Sequence, residues 1–388
     1  MEKELLQEAV ALQPEIVRWR REMHRMPEVG VCLPRTAAFI KERLTEMGIS
    51  YQAYDEISCV CATVGQGARC ILLRADMDGL PVREETELPF RAENGCMHGC
   101  GHDLHAAMLL GAAKLLKAHE RELGGQVKLL FQSGEEVFQG AKAAIDAGVL
   151  ENPRVEAAVA MHVIAMLPMG LAVTGKEAMS AVDGFKITLI GRGGHGSMPE
   201  NCIDPINGAV QVYLALQSLI ARETGGTEEA VLTVGQLSAG EVANVIPERA
   251  VLQGTLRTFK PEVRQRLKGR IREISEAVAA AYRCGCEFEV LSDCPSVVTD
   301  EAVTAVVEKT IATLLPEYRV VKNSQGMGSE DFAEITQRVP SAYFMLGAGP
   351  EAVEKRLGQH NPKVEFNEDV LSVGAAVYAG AAMEWLGS

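Results

Sequence analysis

The densest group of metal-ligating residue types lies in the segment Met97–His105, with the sequence MHGCGHDLH. It holds one thiol, three imidazoles and a carboxylate directly before a segment whose apolar residues recur at helical spacing. A thiolate and an imidazole two residues apart, as in Cys100 and His102, can reach one ion or two neighbouring ions, and Zn²⁺ and similar metals accept S, N and O ligands together. The glycines on either side of Cys100 suit a sharply bent loop. We interpret the segment as a metal-binding loop; the alternative is a helix-capping loop with incidental histidines, in which Asp103 is the cap.

Two adjacent acids, Glu135 and Glu136, follow the apolar segment 127–132 almost immediately. That segment is typical of a buried strand, and in α/β folds ligands collect at the carboxyl ends of strands. One acid could be a metal ligand and the other a general base for a metal-activated water. The alternative is a solvated turn, where adjacent acids usually lie.

Two isolated histidines are the remaining candidates. His162 lies in the apolar segment AAVAMHV, where a single histidine is more often a core residue, and His360 lies in a polar segment, where a histidine is usually solvated. Each signal is weak by itself. Together the candidates form a mixed donor set from separate segments, which suits a two-metal hydrolytic site. This predicted ligand set is Cys100, His102, Glu136, His162 and His360.

The elements that must position these residues alternate between helices and strands. The predicted helices of the flanking regions cover residues 3–25, 35–48, 104–117 and 301–315. The predicted strands there cover residues 59–64, 70–75, 127–132 and 157–163, with two more at YRVVK and YFMLGAG. This alternation, with apolar runs in the strands, predicts an α/β domain with a mostly parallel central sheet.

The middle of the chain has a different order. The pattern predicts a strand at 185–190, a helix at 204–222, strands at 230–237 and 250–259, a helix at 261–283 and a strand at 286–291. The order β-α-β-β-α-β is that of a split βαβ module. We therefore predict an α/β domain in two parts, 1–181 and 294–388, interrupted by an α+β module at 182–293.

Composition excludes some classes of function. The net charge of −14 comes without a basic cluster, which argues against a nucleic-acid groove. No apolar run approaches the ~20 residues that cross a bilayer. The first ten residues carry charges of both signs and lack a signal peptide's apolar centre, so we expect a cytoplasmic protein. The ten cysteines are scattered, which favours buried thiols and a few metal ligands over a disulfide framework.

In these residues the chain resembles the M20 family of metallopeptidases, and within that family it resembles subfamily D. That branch includes hippurate hydrolases, indole-acetyl-amino-acid hydrolases, aminoacylase-like amidohydrolases and N-acetyl-diaminopimelate deacetylases. The likeness runs from about residue 15 to about residue 384. It rests on six segments in the family's order: Leu73–Pro81, Met97–His105, Gln132–Glu136, His162–Val163, Gly328–Phe332 and His360–Pro362.

The resemblance implies a site and a fold. The five predicted ligands would hold two divalent ions (Zn, Mn, Co or Ni), Glu135 would be the acid-base residue, and Asp78 would orient a ligand. Asp76 stands where other branches of the family carry a histidine ligand, and its role is open. The implied fold is a zinc-peptidase-like catalytic domain interrupted by a ferredoxin-like domain for dimerisation and lid closure. Two small departures, Gly99 for the usual alanine and Ser133-Gly134 for the usual Pro-Ala, remove no reacting group.

The inserted module carries further candidates. Gly191–Gly196 formally matches the dinucleotide-binding pattern G-x-G-x-x-G, but prolines at 199 and 205 prevent a helix from opening directly on it. The resemblance instead implies that His195 reaches a neighbouring subunit's site and stabilises an oxyanion, with Asn244 assisting. Arg257 could clamp a substrate carboxylate. The alternative for Asn244 is a turn residue between strands, and the alternative for Arg257 is an ordinary surface charge.

These observations predict a metal-dependent amidohydrolase that cleaves N-acyl-amino acids or similar small conjugates, as a homodimer or a tetramer without nucleic-acid or membrane partners. A dipeptidase or an N-acetyl-diaminopimelate deacetylase of the same fold is the alternative within the class. A thiol hydrolase with Cys100 as nucleophile and His102 as base is a rival mechanism. A catalytically silent, metal-stabilised binding protein is the non-enzyme alternative.

Overall fold

The computed structural model describes residues 2–387, which form two compact units. The first comprises the chain up to Ala178 together with Val298–Gln325 and the chain from Asp331 onwards; the second comprises Met179–Val297 and Gly326–Glu330. Each unit has its own hydrophobic core. That residues 182–293 act as a separate domain stays a prediction.

The helices and strands are numbered in chain order. The helices are α1 Glu2–His24, α2 Pro34–Glu46, α3 His102–Ala118, α4 Gly140–Asp146, α5 Pro205–Ser218, α6 Pro261–Ala281, α7 Glu301–Leu314, α8 Ala333–Thr336 and α9 Val370–Gly387. The strands are β1 Ser50–Tyr54, β2 Cys59–Gly65, β3 Cys70–Asp76, β4 Gln126–Gln132, β5 Ala157–Pro168, β6 Leu171–Thr174, β7 Glu177–Met179, β8 Ala181–Ile190, β9 Gly194–His195, β10 Ala230–Ala239, β11 Val245–Ile246, β12 Arg249–Thr258, β13 Gly285–Cys294, β14 Val297–Val298, β15 Arg319–Val321 and β16 Ser341–Gly349.

The first unit is built on an eight-stranded sheet in the order β1-β2-β4-β3-β5-β16-β6-β15. The central strands β4, β3, β5 and β16 are all parallel to their neighbours in that run, and β15 is parallel to β6; the other pairs are antiparallel. The predicted mostly parallel sheet is therefore confirmed. Because β3, β4 and β5 are parallel, their carboxyl ends meet at one edge, where the fold can gather side chains from distant segments.

Helices α1, α3 and α9 pack against one another beside the sheet. All seven residues of β3 are buried, as expected for a parallel strand covered on both faces. The hydroxyl of Tyr378 in α9 donates to the carbonyl of Arg74 at 2.6 Å and accepts from the amide of Met161 at 3.0 Å. The helix layer thereby fixes the end of β3 relative to the part of β5 that directly precedes His162.

Helix α9 is long and apolar enough by composition to cross a membrane, so the prediction that no apolar run approaches that length is wrong. It is, however, largely buried inside the first unit, where it contacts α1, α3 and α7. A buried core helix passes the same test of length and hydropathy, so this helix is weak evidence for a membrane span.

The second unit contains a four-stranded antiparallel sheet in the order β10-β12-β8-β13. Helices α5 and α6 pack on each other and on the sheet. The chain order is β8-α5-β10-β12-α6-β13, so the predicted β-α-β-β-α-β module is confirmed. The Gly191–Gly196 segment contains the short strand β9, and α5 does not begin until Pro205, in agreement with the rejection of a dinucleotide site.

Candidate metal centre

The five predicted ligands come together in the first unit. Two triads of ligand atoms each lie within 4.8 Å of one another: one joins Cys100 with His102 and His162, the other joins Cys100 with Glu136 and His360. The sulfur of Cys100 is 3.4 Å from Nε2 of His162, and Nε2 of His360 is 3.3 Å from Oε1 of Glu136. The two triads share Cys100, so the donors could serve two adjacent ions.

Local backbone geometry places the thiol and the first imidazole. Gly101 has φ 94°, and a Cβ at this position would lie 2.6 Å from a methyl of Val163, so only glycine fits before helix α3. Asp103 does not cap that helix, and the capping-loop alternative is wrong. Its carboxylate instead accepts from Nε of Arg20 at 2.7 Å and pairs with Nδ1 of His24 at 2.8 Å.

The turn after β4 presents the two acids. Gly134 adopts φ 68°, and a Cβ there would lie 2.6 Å from a methyl of Val31, which accounts for glycine at this departure from the family pattern. Glu135 is buried, its Oε1 accepts from the amide of Asp331 at 3.4 Å, and its Oε2 lies 3.9 Å from Nε2 of His102. Glu135 therefore lies beside the ligand triads but belongs to neither.

Hydrogen bonds turn the ligand faces of both inner imidazoles toward the site. Nδ1 of His102 donates to the carbonyl and the Oδ1 of Asp78, at 3.1 and 3.2 Å, while Oδ2 of Asp78 accepts from the amide of Glu136 at 3.1 Å. Nδ1 of His162 donates to the carbonyl of Val163 at 2.6 Å. Because a metal-bound imidazole ordinarily donates its other N–H in this way, each Nε2 is left as a ligand atom.

The electrostatics of the site require positive charge. Nε2 of His102 is buried and has no hydrogen-bond partner among residues 2–387, and carboxylate oxygens of Asp76, Glu135 and Glu136 lie 3.8–3.9 Å away. A buried ring nitrogen without a partner, with three carboxylates nearby, is the environment that a cation completes. The S, N and O donors present are those that Zn²⁺ and related divalent ions accept, so the residues fit the implied metals.

The pKa of His102 reflects nearby carboxylates, whereas the pKa values of Cys100 and His162 reflect burial. Burial alone lowers the pKa of His102, yet the nearby Asp76 and Asp78 outweigh it and hold that pKa well above its ordinary value. Burial raises the pKa of the Cys100 thiol to about 12. Burial also holds the pKa of His162 well below its ordinary value. A thiol with this pKa is protonated at neutral pH without a metal, which argues against Cys100 as an unassisted nucleophile.

The three predicted residues of the inserted module lie in the second unit. His195 in β9 pairs with Val245 in β11, and the carbonyl of Asn244 accepts from the amide of Gly196 at 2.8 Å, so His195 and Asn244 are neighbours. Arg257 donates to Oγ of Ser329 at 2.7 Å, and no hydrogen bond among the described residues joins it to His195 or Asn244.

Sequence reasoning missed a set of buried polar residues behind the ligands. They are Arg20, His24, Arg74, Glu84, His105 and Asp331. Asp331 and Arg74 could have been noticed from their motifs, Gly328–Phe332 and Leu73–Pro81, and His105 from the metal loop itself. The others carry no local signal, because a buried ion pair between distant segments leaves no periodicity in sequence.

A mostly parallel sheet that gathers thiol, imidazole and carboxylate donors beside a second carboxylate is typical of a metal-dependent hydrolase. The chain belongs to the peptidase family M20/M25/M40, whose sequence pattern matches residues 72–384, and it is a metal-dependent amidohydrolase of that family.

Individual relatives support this placement over nearly the whole chain. The chain is 35% identical over 387 residues to the IAA-amino acid hydrolase ILR1-like 2 of Arabidopsis thaliana, covering 97% of this chain and 87% of that protein. It is 34% identical over 378 residues to the N-acetylcysteine deacetylase of Bacillus subtilis, covering 96% and 97%. The solved structure of the Bacillus subtilis YXEP protein, a dinuclear metal binding peptidase from the M20 family, is 32% identical with a TM-score of 0.82, covering 97% and 99%.

Proposed function

We propose that this protein hydrolyses the amide bond of N-acylated amino acids, with two divalent ions per subunit held by the five clustered ligands. The observation that carries the proposal is the position of Glu135, a buried carboxylate beside both triads that is not needed to complete either. A site with a purely structural metal needs no such carboxylate. The names of the plant and bacterial relatives, which refer to an amino-acid conjugate and to N-acetylcysteine, support this class of substrate.

The side chains divide the reaction as follows. When bound, the divalent ions supply positive charge that acidifies a water molecule and polarises the substrate's carbonyl. Glu135 accepts a proton from the attacking water as the oxygen bonds to the carbonyl carbon. Glu135 then delivers that proton to the nitrogen as the C–N bond breaks, which releases a carboxylic acid and an amine. Asp78 holds His102 and Glu136 in place throughout.

The module residues complete the proposal. His195 is exposed on β9, and we assign it to the oxyanion of a neighbouring subunit's site, with Asn244 assisting from the same module. Pre-aimed donors at a developing oxyanion are commonly the largest catalytic contribution. Arg257 is assigned to the substrate's carboxylate, for which its planar guanidinium is suited.

A panel of substrates tests the class. We expect the protein, loaded separately with Zn²⁺, Mn²⁺, Co²⁺ or Ni²⁺, to release the free amino acid from at least one of its N-acetyl, N-benzoyl, N-indole-acetyl or N-fatty-acyl forms. Initial rates of amine release measure this directly. Cleavage of dipeptides alone would favour the dipeptidase alternative, and cleavage of N-acetyl-diaminopimelate alone would favour the deacetylase alternative. A metal-loaded protein that binds these compounds without cleaving any of them would be the silent binding protein.

An exposed apolar surface of the second unit supports the predicted homodimer. Helix α5 exposes large apolar side chains at positions i, i+4, i+7 and i+8 along one face, and the edge strand β10 exposes two more. Exposed patches of this kind commonly mark protein–protein interfaces. These residues are Ile206, Val210, Tyr213, Leu214, Val231 and Leu237.

We expect the double variant Val210→Glu, Leu214→Glu to lower the oligomeric state while the unmodified protein runs as a dimer or tetramer, because two charges cannot be buried across an apolar contact. Light scattering after size exclusion measures the mass. The control, Val353→Glu, adds a charge at a residue of the first unit that is 69% exposed, and it should leave the oligomeric state unchanged. An unmodified protein that is already monomeric would remove the assembly from the proposal.

A further inference from the structure

The metal loop contributes a third imidazole, His105, that is not a member of the predicted ligand set. Its side chain is completely buried in the first unit. The ring lies 4.5 Å from that of His162 and 5.4 Å from that of His102, measured between ring centroids. Ligand atoms of Asp76, His102 and His105 also lie within 4.8 Å of one another, so a role as a metal ligand has to be considered.

Hydrogen bonding decides against that role. The amide of Val163 donates to Nε2 of His105 at 2.9 Å, and because an amide N–H can only donate, Nε2 must carry its lone pair. Nδ1 lies 2.6 Å from Oδ1 of Asp76, and because a carboxylate can only accept, Nδ1 must carry the proton. Both ring nitrogens are therefore committed, and ligation by either would break a buried hydrogen bond.

Asp76 is held from its other side. Its Oδ2 accepts from Nη1 of Arg74 at 2.7 Å, and Nη2 of Arg74 donates to Oδ1 of Asp331 at 2.8 Å. All of these side chains are buried. A charged arginine between two carboxylates keeps Asp76 ionised and fixed, so it can orient the ring of His105.

The backbone of Val163 connects this chain to the ligands. Its N–H is held by His105, and its carbonyl accepts both from Nδ1 of His162 at 2.6 Å and from the side-chain amide of Gln359 at 2.8 Å. The carbonyl thus sets the ring orientation of one ligand and anchors the residue next to another, His360. A contact that holds the backbone of Val163 in place therefore also holds the ring of His162 and the loop of His360.

From this geometry we infer that His105 is a positioning residue: its Nδ1–H tautomer, set by Asp76, holds the backbone of Val163 and through it the imidazole of His162 and the loop of His360. The inference rests on the proposed metal centre and assigns no metal contact to His105. It also gives Asp76 a function that replaces the ligand role of its counterpart in other branches of the family. Partners of this kind behind metal ligands typically contribute about 10–100-fold in metal affinity or activity.

The test compares Zn²⁺ affinity, measured by competition with a chromogenic chelator, in three variants. In His105→Leu both hydrogen bonds are lost, and we expect the affinity to fall about 10–100-fold. In His105→Gln the amide again offers one donor and one acceptor, and we expect most of the affinity to return. The control His119→Leu removes a histidine that also lies between two carboxylates, Glu8 and Glu122, but away from the ligands, and should bind Zn²⁺ as the unmodified protein does.

The outcomes separate this inference from the proposed function, because Zn²⁺ binding is measured without substrate. If the unmodified protein binds Zn²⁺ and His105→Leu binds it equally well, His105 has no positioning role. If the unmodified protein binds none of Zn²⁺, Mn²⁺, Co²⁺ and Ni²⁺, the proposed function fails and this inference fails with it; if it binds one of the other ions, the three variants are compared with that ion. If His105→Leu does not fold, ring ¹⁵N NMR of the Zn²⁺-loaded protein decides, with His105→Gln assigning the signal: an Nδ1–H tautomer supports the inference and an Nε2–H tautomer overturns it.

Discussion

Replacing Glu135 by glutamine is expected to leave metal binding intact and to lower kcat by about 10²–10⁴-fold, the usual contribution of a general base. Glutamine has nearly the shape of glutamate, so the turn after β4 can keep its conformation, but an amide cannot take a proton from water. The two triads keep every donor in this variant. Turnover of an accepted N-acyl-amino acid and metal content by mass spectrometry are the two measurements.

The neighbouring acid is the matched control for this prediction. Glu136→Gln removes a member of the Cys100–Glu136–His360 triad, so metal content should fall together with kcat. A Glu135→Gln protein with unimpaired kcat would contradict the assignment of the base. Loss of metal from Glu135→Gln would instead make Glu135 a ligand, since its carboxylate also lies within 4.8 Å of His102 and Glu136.

The parts of the fold that the sequence predicts are those with a local pattern. Strands β3 and β4 have the length expected for buried parallel strands, β5 begins as predicted but continues to Pro168, and helix α3 follows the metal loop with helical spacing. Helix α9 is not among the predictions, because it is apolar on nearly every face and so lacks the amphipathic period that marks a helix.

The residues of the site also divide into those with a local sequence signal and those without one. Cys100 and His102 are visible from their spacing, whereas His360 is only an isolated histidine in the sequence and is brought to them by folding. The role of Asp76 cannot be predicted from the sequence, because its partners, Arg74 and His105, act through buried hydrogen bonds that no spacing rule encodes. Local chemistry therefore predicts which residues could bind a metal, and only the three-dimensional contacts show how each ligand is oriented.

Removal of the metals is expected to lower activity by at least ~10²-fold, because several kcal/mol of charge stabilisation disappear with them. Dialysis against a chelator should abolish turnover, and titration with Zn²⁺, Mn²⁺, Co²⁺ or Ni²⁺ should restore it.

The rival thiol mechanism predicts the reverse pattern: activity that survives chelation and is rapidly lost on treatment with iodoacetamide. In a Cys32→Ser background, which removes an exposed thiol, iodoacetamide at pH 7 should leave the metal-loaded enzyme active. Cys100 is shielded when it is bound to metal, and without metal its thiol, with a pKa of about 12, stays protonated and unreactive. Activity that survives complete removal of divalent ions would transfer the chemistry from the metals to the thiol.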